Sequence, residues 1–486
     1  ENDIKASIYA PVGPHRDLLP YLVRRLLENG ANTSFVNQLL KEDAPVEELV
    51  SDPVDTVRER KNHAHPRITR PPGLFFEEAP HGRLNSKGLD LDDPKVTSAL
   101  TKAAQKLKNN YEAAPIIAGK IVKETVAVTI KDPANTSEKI GKSFPTAKDQ
   151  INKAFDLSQK ALPNWLHASA NDRAKALEET AYLYEKHSQE LIALMIREAG
   201  KTIPDAHDEL REAVDFCRYY ANQGRMLFDE NGKTLPGPTG ELNQIRRQGR
   251  GTFVCISPWN FPLAIFTGQI TAALMAGNAV LAKPAEQTPL IAMQAVKLMH
   301  EAGVPKNILH LIPGGGRIGA MAVEHDDVSG VAFTGSSETA RLINQALAAK
   351  KGPLTPLIAE TGGQNAMIVD SSALPEQVID DVIRSAFGSA GQRCSALRVL
   401  YLQEDCADKV IRMLKGAMQE LTLDEPCHIH SDLGPVIDEE ALAALNHHRA
   451  RLDGFGTYIS ESRLDQTLRN SGHFFAPCAY ELKNLH

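Results

Sequence analysis

The chain has 486 residues, 42% of them apolar and 24% charged, and a formal net charge of −7. That length suffices for two or three domains with large buried cores, and no block is strongly basic, which argues against nucleic-acid binding as the main task. Six cysteines without CxxC pairing or scaffold spacing point to a reducing compartment, read as cytoplasmic, and no apolar run approaches the roughly 18 residues that cross a bilayer.

The N-terminus lacks the apolar core of a signal peptide and does not begin with Met, so the sequence reads as a cut from something longer. Residues 18–29 predict a helix stopped by Gly30. Tyr21, Arg24, Arg25 and Glu28 share one of its faces. Two arginines there suit a carboxylate clamp, although a solvated charged face is the commoner case. Residues 41–110 are expected as a linker, rich in Pro, Asp, Glu and His in its first part. His63 and His65 have no companions at ligand spacing and read as surface residues.

From about residue 95 to 240 the pattern is mostly helical. Residues 151–162 and 173–199 carry apolar positions at three-to-four spacing, with Asp172 as a cap for the second. Residues 206–221 predict another helix, bearing Glu212, Asp215 and Arg218.

From Gly249 short strands alternate with helices, the pattern of a parallel sheet with crossovers. Residues 252–257 read as a strand ending in Pro258, Trp259, Asn260, Phe261 and Pro262. An asparagine amide at a strand end can donate to a developing oxyanion, and a turn asparagine is the common alternative. A helix over 267–276 and a strand over 279–282 lead to Lys283 and Glu286, suited to ribose hydroxyls. A carboxylate there leans toward NAD over NADP. The strand 308–312 precedes Gly314, Gly315, Gly316 and Gly319, of which Gly314, Gly316 and Gly319 satisfy GxGxxG, a weak match by itself. The strand 330–333 leads to Thr334, Gly335 and Ser336, where a helix start with a free hydroxyl suits a phosphate.

The stretch 358–397 organises the chain. It opens with Ile-Ala-Glu360-Thr361-Gly362-Gly-Gln-Asn and closes with Ser-Ala-Gly-Gln-Arg393-Cys394-Ser395-Ala-Leu. A helix is expected over 374–387, and strands over 365–369 and 397–402. A thiol beside glycine with a carboxylate in reach is the outline of covalent catalysis: the thiolate attacks a carbonyl and the carboxylate later activates water. A small core cysteine and a surface acid are the bland alternatives. Cys427, His428 and His430 look like a metal cluster but read as loop residues, because a fourth ligand is lacking.

The two signatures together resemble those of the aldehyde dehydrogenases. The resemblance implies an α/β fold: a Rossmann-type NAD-binding domain with N-terminal helices over 111–359, and a second α/β catalytic domain over 360–486. That domain is expected to be truncated at the C-terminus. The family's Glu-Glu-x-Phe-Gly-Pro segment, a later substrate-anchoring loop and a subunit-exchanging tail are not found. Cys394 is implied as nucleophile, Glu360 as general base, and Asn260 with the Cys394 N–H as oxyanion donors. The Cys394 pKa is expected below the roughly 8.5 of a free thiol. NAD is implied to contact Ile256, Pro258, Trp259, Lys283, Glu286, Gly315, Gly319, Thr334, Gly335, Ser336, Thr361 and Gly362. Gly315 and Gly319 lie toward adenine and Gly335 and Ser336 toward pyrophosphate. No metal is implied, and an oligomer is allowed.

Residues 18–30 are similar to the last helix of the proline dehydrogenase barrel in the bifunctional proline utilization A family. There the tyrosine, both arginines and the glutamate belong to the proline site. Residues 1–40 are then a barrel remnant, and FAD belongs to the absent part. Together the resemblances imply oxidation of L-glutamate γ-semialdehyde, with Ser395, Phe261, Glu212 and Arg393 as substrate contacts. An aldehyde dehydrogenase of other specificity and a non-catalytic nucleotide-binding scaffold remain open. A cysteine hydrolase is more distant, since no histidine stands near either signature.

Overall fold

The computed structural model describes Leu18 and residues 52–59, 68–78, 82–229 and 231–483. Tyr21, Arg24, Arg25, Glu28, His63 and His65 lie outside the described residues. The chain divides into two units, residues 1–70 and 71–486. In the first, helix α1 (Pro53–Arg58) is opened by Asp52, whose carboxylate accepts the Val54 N–H at 2.8 Å.

In the second unit, α2 (Pro94–Gln105) starts at an Asp93 cap with Pro94 at its first position. Its Leu100 and Ala104 are buried. The expected linker therefore gives way before residue 110 to a packed helix. Strands β1 (Tyr111–Ala113), β4 (Val128–Lys131) and β5 (Lys139–Ser143) form a small sheet in the order β1-β5-β4. Between them run β2 (Ile116–Ile117) and β3 (Lys120–Ile121). Four helices follow: α3 (Lys148–His167), α4 (Ala170–Lys186), α5 (Ser188–Ala199) and α6 (Ile203–Leu227). Two expectations are corrected here. The helix read over 173–199 breaks at His187, which ends α4 and opens α5. The cap of α4 is Ser169, which accepts the Asp172 N–H at 3.1 Å and donates to its carboxylate at 2.8 Å. A hairpin of β6 (Lys233–Leu235) and β7 (Asn243–Ile245) comes next.

The centre is a seven-stranded sheet in the order β12-β11-β8-β9-β10-β2-β3. It holds β8 (Thr252–Ile256), β9 (Ala279–Lys283), β10 (Leu309–Leu311), β11 (Val328–Gly335) and β12 (Leu357–Thr361), all mutually parallel. Every residue of β8, β9 and β10 is buried, as expected of parallel strands covered on both faces. Their crossovers are α7 (Ala264–Met275), α8 (Pro289–Glu301), α9 (Gly316–Val323) and α10 (Ser337–Ala348). β12 carries Glu360 on the outer strand of this sheet. The domain boundary read at residue 359/360 therefore cuts a strand that continues through Thr361.

Beyond it, β13 (Asn365–Val369) pairs in parallel with β14 (Leu397–Leu402). They pack with α11 (Pro375–Val382) and α12 (Glu404–Glu420) around a core that includes Val369, Val378, Leu397, Val410 and Met418. The helix expected over 374–387 changes after Val382 into a π-helical turn, Ile383–Phe387. Helix α13 (Glu439–Asp453), a short helix α14 (Gln466–Ser471) and a two-stranded sheet of β15 (Thr457–Glu461) and β16 (Cys478–Glu481) complete the described chain.

Two buried glutamates cap helices from a distance. Glu198 accepts the Leu290 and Ile291 N–H groups at the start of α8, at 2.6 and 2.9 Å. Glu209 accepts those of Leu263 and Ala264 at the start of α7, at 2.7 and 3.1 Å. Each satisfies helix donors that have no partner within the helix, at the end where negative charge is favoured. Glu209 also pairs with Lys201 at 2.9 Å, and both side chains are buried. Its position ties α6 to the segment that follows Asn260. Glu209→Gln leaves the Lys201 ammonium buried without a countercharge. It is expected to destabilise the fold by roughly 3 kcal/mol in denaturant unfolding; an unchanged midpoint would show that Lys201 finds water instead.

Candidate active site

Because β8 to β12 run parallel, their carboxyl ends lie along one edge of the sheet. In register, Ile256 is flanked by Lys283 on β9 and Phe333 on β11, and Thr334 stands beside Glu360 on β12. The chain leaves β8 between neighbours β9 and β11, whose connections run in opposite directions. This is the switch point where open parallel sheets bind nucleotides. Ile256, Pro258, Trp259, Lys283, Thr334, Gly335, Ser336, Thr361 and Gly362 all fall on this edge. Glu286 is exposed three residues beyond Lys283, with 3.7 Å between their charged groups.

Local chemistry along the edge fits a dinucleotide. The Lys283 ammonium is 6% exposed, and burial holds its pKa below the usual lysine value, with Glu286 opposing. One of its three N–H groups donates to the Pro284 carbonyl at 3.1 Å, which leaves donors for hydroxyls. A Cβ at Gly315, Gly316 or Gly362 would meet nothing within 4 Å among the described residues, which leaves the backbone open to a ligand there. At Gly319 it would approach Lys283 Cδ at 3.5 Å. The buried Ser257 Oγ, just after β8, has no hydrogen-bond partner among the described residues. One expectation changes: the Ser336 hydroxyl is not free. It accepts the Thr339 N–H at 3.1 Å as the cap of α10 and contacts Thr339 Oγ1 at 2.9 Å.

Cys394 is exposed, on a loop held by polar contacts from several elements. Asn260 Nδ2 donates to the Gln392 carbonyl at 2.8 Å. Asn365 Nδ2, at the first residue of β13, donates to the carbonyls of Cys394 and Ala396 at 2.7 and 3.0 Å. The Gln392 side chain accepts the Ile437 N–H at 2.9 Å and donates to Ser389 O at 3.2 Å. Arg398 donates to Gly391 O at 2.7 Å. Ser389, Ala390 and Gly391 all have positive φ, at 55°, 54° and 70°. The first two are strained for residues with a side chain. The strand-end Asn260 and the loop that carries Cys394 therefore meet at Gln392. An amide has two N–H groups, so Asn260 keeps one beyond its bond to Gln392.

Arg393, expected as a substrate contact, is also engaged within the protein. Its guanidinium pairs with Asp205 at 2.7 Å, and Ser389 Oγ donates to the other Asp205 oxygen at 2.8 Å. Arg393 thus anchors the loop to the first turn of α6. Ser395 lines an open cavity of about 360 Å³ with Met367, Asp381, Arg384, Ser385 and Arg393. Phe261 is half-buried beneath the Lys201 ammonium, 4.7 Å from its ring centre. Glu212 is exposed on α6. Partial desolvation and then the Glu209 charge push its carboxyl above the usual range, while Lys201 and Arg393 oppose them. Asn365, Gln392 and Asp205 were not singled out from sequence. For Asn365 the available signal is its place at a strand start directly after Gly-Gly-Gln.

A family model described as the aldehyde dehydrogenase family matches residues 121–482. The chain belongs to the aldehyde dehydrogenase family. A model described as proline dehydrogenase matches residues 1–38. The chain is 45% identical to the "Bifunctional protein PutA" of Salmonella typhimurium over 98% of its own length and 36% of the relative's. It is 34% identical to a 1-pyrroline-5-carboxylate dehydrogenase of Geobacillus thermodenitrificans, covering 73% of this chain and 68% of that one. Among solved structures, a Bradyrhizobium japonicum proline utilization A variant superposes with a TM-score of 0.81 at 49% identity, over 98% of this chain and 44% of that one. The 1-pyrroline-5-carboxylate dehydrogenase from Thermus with bound NAD gives 0.77 at 28% identity, over 82% and 77%. The chain therefore spans 36% to 44% of the length of these bifunctional relatives.

Within this aldehyde dehydrogenase, Asn365 holds the cysteine loop through two hydrogen bonds worth about 1 kcal/mol each. Asn365→Ala is expected to raise amide hydrogen exchange across residues 389–396 by roughly tenfold while β14 stays protected. Unchanged exchange in that loop would show that the asparagine is not its clamp.

Proposed function

We propose that this chain carries out the aldehyde-oxidising half-reaction of a bifunctional proline-degrading protein, converting L-glutamate γ-semialdehyde to L-glutamate. The observation that carries the reading is the meeting of the exposed Cys394, through the Asn260 to Gln392 bond, with the carboxyl edge of the parallel sheet. The similarity to 1-pyrroline-5-carboxylate dehydrogenases and bifunctional PutA proteins supports the substrate. NAD⁺ bound along that edge supplies the hydride acceptor.

The chain's own groups do the rest. The Cys394 thiolate adds to the aldehyde carbon and forms a thiohemiacetal. Asn260 and the Cys394 N–H donate to its oxyanion. After oxidation to the thioester, Glu360 takes a proton from water, which attacks the acyl carbon and frees the thiol and the acid. The substrate has a carboxylate and an amine. Arg384 offers the carboxylate a positive charge and Ser395 a hydroxyl, and Asp381 and Glu212 are acids of the sign that suits the amine. Among the described residues all six cysteines are free thiols, in keeping with a cytoplasmic setting. No described helix is long and apolar enough to cross a membrane.

Cys394→Ala is expected to abolish acid formation while NAD⁺ still binds; retained turnover would end the proposal. Glu360→Gln is expected to accumulate thioester, seen as a burst of reduced cofactor followed by a rate at least tenfold lower. Wild-type steady-state behaviour in that variant would remove Glu360 from the base role. Glutamate semialdehyde is expected to give a higher kcat/KM than acetaldehyde or succinate semialdehyde. A preference for either control would defeat the substrate assignment, and NAD⁺ binding without oxidation of any aldehyde would favour a scaffold.

A further inference from the structure

The loop between α12 and α13 carries Asp424, Glu425, Cys427, His428 and His430 within seven residues. The fold turns both imidazoles onto a single carboxylate oxygen. Asp424 Oδ2 lies 3.1 Å from His428 Nδ1 and 2.8 Å from His430 Nε2. The two rings stack, with centroids 5.3 Å apart and an interplanar angle of 21°. The three ligand atoms all lie within 4.8 Å of one another. Two ligands about 2.0 Å from a tetrahedral zinc stand roughly 3.3 Å apart, so the oxygen and each nitrogen sit within a few tenths of an ångström of that spacing.

The loop is anchored independently of the three side chains. Thr101 Oγ1 donates to Cys427 O at 2.8 Å, and Ser431 Oγ donates to Glu425 O at 2.7 Å. Cys427 is buried in the main core. The His430, His428 and Asp424 side chains are 63%, 33% and 31% exposed. Solvent therefore reaches the cluster and can supply a fourth ligand. The sequence pattern lacked a further ligand for the two histidines; the fold provides it in Asp424, four residues before His428.

We propose that Asp424, His428 and His430 form a binding site for one divalent transition-metal ion, with water in the remaining position. One carboxylate and two imidazoles are the donor set of zinc and its first-row neighbours, and too few oxygens for calcium or magnesium. In the empty site each imidazole donates an N–H to Asp424. Binding moves that proton to the opposite ring nitrogen, or to solvent from a charged ring, and frees the lone pair for the metal. The site lies outside the sheet edge that takes the dinucleotide and adds no step to aldehyde oxidation.

The test is calorimetric titration of the full protein with Zn²⁺, and with Co²⁺ for its visible spectrum. A Cys394→Ala background removes the exposed thiol as a competing ligand. One zinc per chain is expected to bind with a Kd of about 10 μM or tighter, and cobalt to show the intense bands of a four-coordinate site. His430→Ala and Asp424→Asn should each weaken binding at least about tenfold. His430 is exposed, so its variant keeps the fold, and melting curves check this for both. Absence of saturable binding below about 1 mM, or binding that His430→Ala leaves unchanged, would mean a hydrogen-bonded histidine pair only and overturn the proposal.

Discussion

The structure depends on holding one short loop, residues 388–396, in a shape that its own backbone does not favour. Ser389 and Ala390 occupy left-handed conformations that cost roughly 1–2 kcal/mol each for residues with a Cβ. At Gly391 a Cβ would come 2.9 Å from Ala386 O, so glycine is required there. The compensation is polar and comes from outside the loop. Asn260 reaches it from the nucleotide sheet, Asn365 from the second sheet, Asp205 from α6, and Ile437 through the Gln392 side chain. At about 1 kcal/mol per hydrogen bond, these contacts together exceed the backbone cost. Cys394 is carried on a rigid support and left exposed.

The same elements are positioned by electrostatics deeper in the protein. Glu209 ties the start of α7, and so the Pro258–Pro262 segment before it, to α6. Asp205, one helical turn earlier on α6, ties the same helix to the cysteine loop. Helix α6 is thereby a common mount for the Asn260 segment and the Cys394 loop. Burial pushes the Cys217 and Cys255 thiols up to about 12 and Cys427 up to about 11, chiefly by desolvation.

Much of this was legible in the sequence. The parallel strands announced themselves as short apolar runs between glycines and prolines, and β13 spans the residues read for it. Cys394 and Asn260 were singled out by the resemblance of their motifs to those of the aldehyde dehydrogenases, since a lone cysteine or a turn asparagine is common in any protein. What stayed hidden is long-range. Nothing local says that Asp205 lies against Arg393, or that Glu209 caps a helix beginning at residue 264. The Ser336 hydroxyl was misread because its best acceptor use is local, as a helix cap. Helix α2 falls where the helical pattern read from about residue 95 overlaps the linker read over 41–110, and its packing settles the overlap in favour of the helix. Glu360 was set at the head of a new domain because its motif reads as a unit with the cysteine segment, whereas its backbone pairs with β11.

The central claim is that this fold presents one reactive thiol beside a nucleotide crevice. Iodoacetamide labelling followed by peptide mass spectrometry, with and without NAD⁺, measures that directly for all six cysteines. The account predicts that Cys394 is alkylated fastest and that NAD⁺ changes its rate and no other. Faster labelling of Cys406 or Cys478, or a Cys394 rate indifferent to NAD⁺, would contradict it.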